Sequence, residues 1–256
     1  MIEITNLDDK RIKEFISIKD KNLIAEDLFI AETHKVIHKA INSRYEVLKV
    51  LCTKEYYSQN INKLKNLNVY VAEKKLLESI VGFNLHHGVM ALFQNEPLKN
   101  LNELGDKIMI FNGVTSPENV GTITRASAAF NFDSIIYDYK SASPFLRRCV
   151  RVSMGNIFNV RVHKSNYLPD TIKSLQDKGY TVIATANESG AQSLLEFDYP
   201  SKVAIIIGNE GNGMDRDVIE ACDQKLFIPI DSDVAHLNAA SAATAFLYHS
   251  LYSNKL

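Results

Sequence analysis

The second half of the chain is built from short apolar runs separated by helical patterns. Lys107-Ile108-Met109-Ile110-Phe111, Ser134-Ile135-Ile136-Tyr137, Thr181-Val182-Ile183-Ala184-Thr185, Val203-Ala204-Ile205-Ile206-Ile207 and Lys225-Leu226-Phe227-Ile228-Pro229 are too short for helices. They are also too uniformly apolar for strands with one wet face. Val120 to Phe130, Pro169 to Lys178, Asp215 to Cys222 and Asn238 to Tyr252 carry helical spacing. Strand then helix, repeated, predicts a parallel sheet covered on both faces. Ligands of such sheets sit beyond the carboxyl ends of the strands, so chemistry is sought after Phe111, Thr185, Ile207 and Pro229.

The first part of the chain has a looser texture. Leu28 to Ala31, Val47 to Leu51, Val69 to Val71 and Gly88 to Phe93 read as strands. Thr33 to Ile41, Ile61 to Lys65 and Lys74 to Ile80 read as helices, giving a smaller alternating α/β region after a helical lead-in. The polar tract running from Asn95 to Asp106, with Pro97 and Gly105, resists regular structure. The expected organisation is therefore a domain over 1–95, a linker over 96–106 and a domain over 107–256. A chain of 256 residues with 46% hydrophobic residues can fill two such cores.

Several classes of function fall away. Met1-Ile2-Glu3-Ile4 leads directly into charged residues, so no secretory signal is assembled, and no apolar run approaches the ~20 residues of a membrane span. A cytoplasmic protein with no membrane partner is expected. Cys52, Cys149 and Cys222 are scattered and odd in number, which suits reduced thiols. His34, His38, His86 and His87 show no metal-ligand spacing, so no metal is expected. With a net charge of -1, a polyanion must be met by local patches. Arg147, Arg148, Arg151 and Arg161 form one such group, either a phosphate site or solvated surface.

After Phe111 stands Asn112-Gly113-Val114-Thr115-Ser116, which lacks the glycines of a dinucleotide fold, and no P-loop pattern occurs. The glycine-rich loop comes late, at Gly208-Asn209-Glu210-Gly211-Asn212-Gly213, where glycine serves either a tight turn or close approach to a ligand. Ser116 and Pro117 suit the cap and first turn of a helix. On that helix Val120, Ile123, Ala126 and Phe130 form an apolar stripe, and Arg125 lies off it beside Gly121 and Ala128.

Read together, Asn119-Val120-Gly121 with Arg125, the strand ending Gly208-Asn209-Glu210-Gly211, and Ile228-Pro229 leading to Leu237-Asn238 and small residues resemble three signature motifs. They are those of the SpoU (TrmH-type) RNA ribose 2'-O-methyltransferases of the SPOUT superfamily. Arg151-Val152-Ser153-Met154-Gly155 is similar to a connector of that family, and Thr33-His34-Lys35-Val36 and His86-His87-Gly88-Val89 to a ribosomal-protein-like domain that often precedes it. The resemblance implies an α/β fold: a C-terminal SPOUT domain closed into a trefoil knot, after a smaller N-terminal ribosomal-protein-like α/β domain that binds the substrate RNA.

It further implies that S-adenosylmethionine is held by main-chain groups at Gly208, Ile228 and Leu237, with Thr185 nearby. Arg125 is implied as the residue closest to the target hydroxyl, with Asn119, Glu210 and Asn238 around it. An arginine does not readily release its proton, so clamping an RNA phosphate and stabilising alkoxide charge suit Arg125 better than acting as a base. His236 stands where the family usually has serine, and Thr33 where relatives commonly have glycine after the glutamate. The last helix, with Ala239, Ala240, Ala242, Ala243 and Ala245 beside Leu247, Tyr248 and Leu251, is implied in a homodimer or else packs on its own sheet. Ribosomal RNA is the first expected substrate and transfer RNA the alternative; a non-catalytic RNA-binding or ribosome-associated factor is the reading from a different class.

Overall fold

The computed structural model describes residues 1–16, 20–82, 85 and 87–252, so His86 lies outside the described residues. The first elements are β1 (Ile2–Ile4), α1 (Asp20–Ala25), β2 (Leu28–Glu32), α2 (His34–Ile41), β3 (Val47–Thr53), α3 (Lys54–Gln59), α4 (Ile61–Leu64), β4 (Val69–Ala72), α5 (Lys74–Val81) and β5 (Val89–Gln94). They are followed by β6 (Lys107–Asn112), α6 (Pro117–Ala129), β7 (Ser134–Tyr137), α7 (Arg147–Val152), β8 (Arg161–Lys164), α8 (Leu168–Gln176) and β9 (Thr181–Thr185). The chain ends with β10 (Gln192–Ser193), β11 (Val203–Gly208), α9 (Arg216–Ala221), β12 (Gln224–Phe227) and α10 (Ala239–Tyr252). Two compact units result, one of Met1–Pro97 with Phe145–Phe158, the other of Leu98–Pro144 with Asn159–Leu256.

In the second unit, the described residues form a seven-stranded sheet in the order β10-β12-β9-β11-β6-β7-β8. Every pairing in it is parallel, as the apolar runs predict. Ile108 to Phe111 and Val203 to Ile206 have no exposed surface, because helices cover both faces. The run Lys225–Pro229 is shorter as a strand than expected: β12 ends at Phe227, which leaves Ile228 and Pro229 beyond it. β8 escaped the sequence reading because it is an edge strand carrying Arg161, His163 and Lys164.

Helix α6 starts as its sequence dictates. The Ser116 hydroxyl accepts from the Asn119 amide and Pro117 takes the first turn. Its buried stripe differs from the expected one: Val120 and Ile123 are joined by Asn119, Thr124 and Ser127, while Ala126 and Phe130 are half-buried. The helix packs against α10, whose Ala239, Ala240 and Ala243 are buried, and small side chains on both helices allow the close approach.

In the first unit the described residues form a five-stranded mixed sheet, β1-β4-β3-β5-β2. β5 runs antiparallel to both β2 and β3, and the other pairs are parallel. Its aromatic box comes from both stretches of the unit: the Phe29 ring lies 5.2 Å from Phe93, 5.4 Å from Tyr45, 5.6 Å from Phe145 and 5.8 Å from Phe158. Beside the box, Glu32 is 2% exposed and accepts from Arg151 at 2.6 Å and Arg147 at 3.4 Å. In the second unit Arg161 pairs with Asp133 at 2.7 Å. The arginine group, open in the sequence between a phosphate site and solvated surface, is thus divided, with Arg147, Arg151 and Arg161 engaged by carboxylates. The tract read as a linker is also bound in: the Lys99 amide bonds to Val162 O, the Gly105 amide to Ser134 Oγ, and Leu101–Glu103 form a capped 3-10 turn.

Candidate active site

β9 and β11 lie side by side and end at Thr185 and Gly208, and the chain beyond β12 returns past both. Between them is a cleft with two lobes of about 200 Å³ each. One lobe is lined by Gly208, Glu210, Gly211, Gly213 and Met214, the other by Ile228, Ile230 and Phe246. Thr185, His236, Leu237 and Ala242 line both. The structure therefore brings Thr185, Gly208, Ile228 and Leu237, the expected cofactor contacts, to one cleft. The Thr185 hydroxyl donates to Ile206 O at 2.8 Å, and the rest of the lining is mostly glycine, alanine and apolar residues, with Glu210 and His236 beside them.

The glycine loop has a physical reason for its sequence. Asn209 and Gly213 exchange amide-to-carbonyl bonds of 3.0 and 3.1 Å, folding the loop back on itself, with Gly213 at φ +72°. A Cβ on Gly208 would stand 2.7 Å from Met214 N and 2.8 Å from Gly213 C, so the returning backbone requires glycine there. Asn209 holds the turn from inside: its Oδ1 accepts from the Gly211 and Asn212 amides, and its Nδ2 donates to Gly113 O at 2.7 Å. Asn209 was not singled out in the sequence, although an asparagine among glycines is a turn signal.

Three of the four expected catalytic residues meet. Asn119, 8% exposed, donates its Nδ2 to Glu210 Oε1 at 2.8 Å, across 91 residues of sequence. Asn238 donates its Nδ2 to Asn119 Oδ1 at 3.3 Å, across 119 residues, while its own Oδ1 accepts from the Ala240 amide at the start of α10. One carboxylate and two amides thus tie α6, the glycine loop and α10 together. Arg125 does not join them. It is exposed on α6, makes no hydrogen bond or ion pair among the described residues, and does not line the cleft of its own chain. His236 is exposed and lines both lobes.

The first unit has a cavity of its own, of about 680 Å³. It gathers the two motifs read there, with Thr33, His34 and Lys35 on one side and His87 and Gly88 on the other, together with Tyr56 and Lys74. The His34 Nδ1 lies 3.1 Å from the Tyr56 hydroxyl, and the His34 and His38 rings are 4.1 Å apart. Thr33 takes φ +73° and ψ 142°, a conformation that glycine adopts freely and a β-branched residue does not.

The sequence pattern that defines the SpoU rRNA Methylase family matches residues 106–248. The chain belongs to this family. A protein of Staphylococcus aureus named as a TrmH family tRNA/rRNA methyltransferase is 31% identical over 239 residues, covering 87% of this chain and 95% of its own. An rRNA methyltransferase of Sinorhizobium meliloti, solved with AdoMet bound, superposes with a TM-score of 0.86 at 22% identity over 99% of this chain and 98% of its own. An RNA 2'-O ribose methyltransferase superposes over the full length of both chains with a TM-score of 0.81 at 21% identity. The α/β fold with its parallel sheet is accordingly that of the SpoU methyltransferases. The matched stretch contains every residue of the two-lobed cleft and the whole Asn119–Glu210–Asn238 chain.

Proposed function

We propose that this SpoU family member transfers a methyl group from S-adenosylmethionine to a ribose 2'-hydroxyl of structured RNA, ribosomal RNA ahead of transfer RNA, and works as a homodimer. The observation that carries the reading is the hydrogen-bonded chain Asn119–Glu210–Asn238, set beside a cleft lined by glycines and peptide groups. The cleft suits the donor: main-chain N–H and C=O groups can read an adenine edge, and Gly211 and Gly213 admit close approach. When bound, S-adenosylmethionine supplies a methyl carried on a sulfonium.

The protein's part is alignment and charge. Glu210 fixes the Asn119 amide, and Asn119 in turn holds Asn238, so the loops around the reacting atoms are set before RNA arrives. Arg125 supplies the cation that clamps a phosphate next to the target ribose and stabilises the developing alkoxide. Since Arg125 lies outside its own cleft, this reading places it at the cleft of a second copy, which also covers the exposed stretch 229–238. In the same reading that stretch closes the trefoil knot, and the first unit binds RNA through its cavity of about 680 Å³.

The test is incorporation of labelled methyl into total RNA, followed by digestion and identification of the nucleoside. A 2'-O-methylated nucleoside is expected. Arg125→Ala should lower incorporation by about 10- to 150-fold, the worth of a charge-assisted contact of roughly 1.5–3 kcal/mol. Arg125→Ala and Gly208→Ala chains, each impaired alone, should recover activity when mixed, because one intact site then forms across the dimer. A protein that binds RNA and never consumes the donor is the non-catalytic RNA-binding factor instead.

A further inference from the structure

A cavity of about 400 Å³ in the second unit has no part in the reading above. It opens where β6, β7 and β8 end, and Asn112, Tyr139, Lys140, Tyr167, Asp215 and Asp217 line it. Asn112 closes β6 in register with Gly208 at the end of β11. The cavity and the donor cleft therefore open at the ends of neighbouring strands, whose spacing in a sheet is about 5 Å.

Its polar floor is occupied by bonds of its own. Asn112, 2% exposed, donates to Asp138 Oδ2 at 3.0 Å and to Asp215 Oδ2 at 2.9 Å, and accepts from the Asp215 amide at 2.7 Å. Buried Asp138 also accepts from the Gly113 amide, the Ser141 amide and the Ser141 hydroxyl. Lys140 closes on Asp215 at 2.7 Å, and Lys140 and Asn112 together hold that carboxyl below its ordinary range. Tyr167 donates its hydroxyl to Asp217 at 3.0 Å. What the cavity turns outward is two rings, Tyr139 at 67% and Tyr167 at 51% exposure.

Tyr167 is anchored at its hydroxyl edge through Asp217, and Tyr139 has a cation set over one face of its ring, the Lys140 ammonium 5.8 Å from the centroid. Aromatic side chains left in water forgo the burial that normally draws them inward, so two of them at one fixed cavity mark a surface shaped for a flat, partly apolar partner. A cationic side chain fits poorly, because Lys140 already occupies the place of a cation against both Tyr139 and Asp215.

We infer that this cavity is a stacking site for an unpaired nucleobase of the RNA, a small number of nucleotides from the ribose presented at the donor cleft. The inference rests on the reading of the chain as acting on RNA and is independent of whether a methyl is transferred. Bases splayed out of structured RNA are received on aromatic faces, and stacking tolerates any base because each has a π-face.

Binding by the full chain of a fluorescent riboadenylate dodecamer, set against an abasic dodecamer of equal charge, tests this. Wild type should prefer the riboadenylate. The double variant Tyr139→Ala, Tyr167→Ala should lose about 5- to 150-fold in affinity for it and bind the abasic strand unchanged, while Tyr139→Phe, Tyr167→Phe keeps the preference. Calorimetry with S-adenosylmethionine should give the same affinity in all three proteins. Wild-type affinity of the alanine variant for riboadenylate overturns the inference. So does an equal loss toward the abasic strand, or competition by an arginine-rich peptide in place of RNA. A base-dependent loss in a protein that methylates nothing leaves this inference standing and removes the proposed activity.

Discussion

The two units present cavities made of different material. In the first, about 680 Å³ is bounded by side chains that can ionise or stack, among them His34, Lys35, Glu55, Tyr56 and Lys74. In the second, the two-lobed cleft proposed for the donor is shaped mostly by chain geometry, through Gly208, Gly211, Gly213, Ala239 and Ala242, with Glu210 and His236 as its ionisable side chains. A wall of peptide groups is set by how the backbone turns, so it is intolerant of an added carbon and indifferent to most changes of charge. A wall of side chains has the opposite sensitivities: individual groups can be exchanged at modest cost, and pH reaches it directly.

The largest effect should come from adding one carbon to the second unit. Gly208→Ala drives a Cβ into backbone atoms at 2.7 and 2.8 Å, which costs about 2–3 kcal/mol of local strain. Affinity for S-adenosylmethionine, measured by calorimetry, should fall on the order of 100-fold; an unchanged affinity would break the comparison. In the first unit Glu32→Ala removes the carboxylate shared by Arg147 and Arg151. Both arginines retain partial access to water, so the expected loss is about 1–2 kcal/mol, read by urea unfolding, with Glu32→Gln recovering part of it.

Thr33→Gly should go the other way. Relief of the positive-φ threonine outweighs the added freedom of the unfolded chain, for a gain of about 1 kcal/mol and a melting temperature raised by roughly 2–4 °C. The smallest effect is the pH response. Burial, then His34 and Lys63, hold the His38 imidazole below its ordinary range. The unfolded chain therefore takes up the proton more readily, and the stability that neutral His38 supports is complete above about pH 6.5 and fades as pH falls below it. Melting temperatures compared at pH 7.5 and 5.5 should drop more for wild type than for His38→Gln; equal drops would sever the link between the first unit's side chains and pH.

The same contrast explains what could be read before the fold was known. β6, β7, β9 and β11 announce themselves because a parallel strand buried on both faces has to be apolar throughout. The glycine loop was legible as a tight turn because backbone turned this sharply calls for glycine, and its expected place beside a donor came from the family resemblance. Where side chains do the work across long separations, sequence is silent. Asn209 reaches Gly113, 96 residues away, and Tyr139 and Tyr167 share a cavity only because β7 and β8 are neighbours. The basic run at Arg147 to Arg151 reads as free charge until Glu32 is found beside it, 115 residues from Arg147. β1, three residues long, offers too little pattern to detect.

The grouping of Phe145–Phe158 with the first unit has a consequence for how the protein is made. A ribosome that has delivered only the first 97 residues has delivered a first unit whose Phe29 lacks two of its ring neighbours and whose Glu32 lacks both counter-charges. That unit stays unfinished until residue 158 emerges, by which time β6, α6 and β7 have already left the exit. The two folding tasks are interleaved in time as well as in sequence, and a fragment cut at Pro97 would start life with an open aromatic box and a stranded acid.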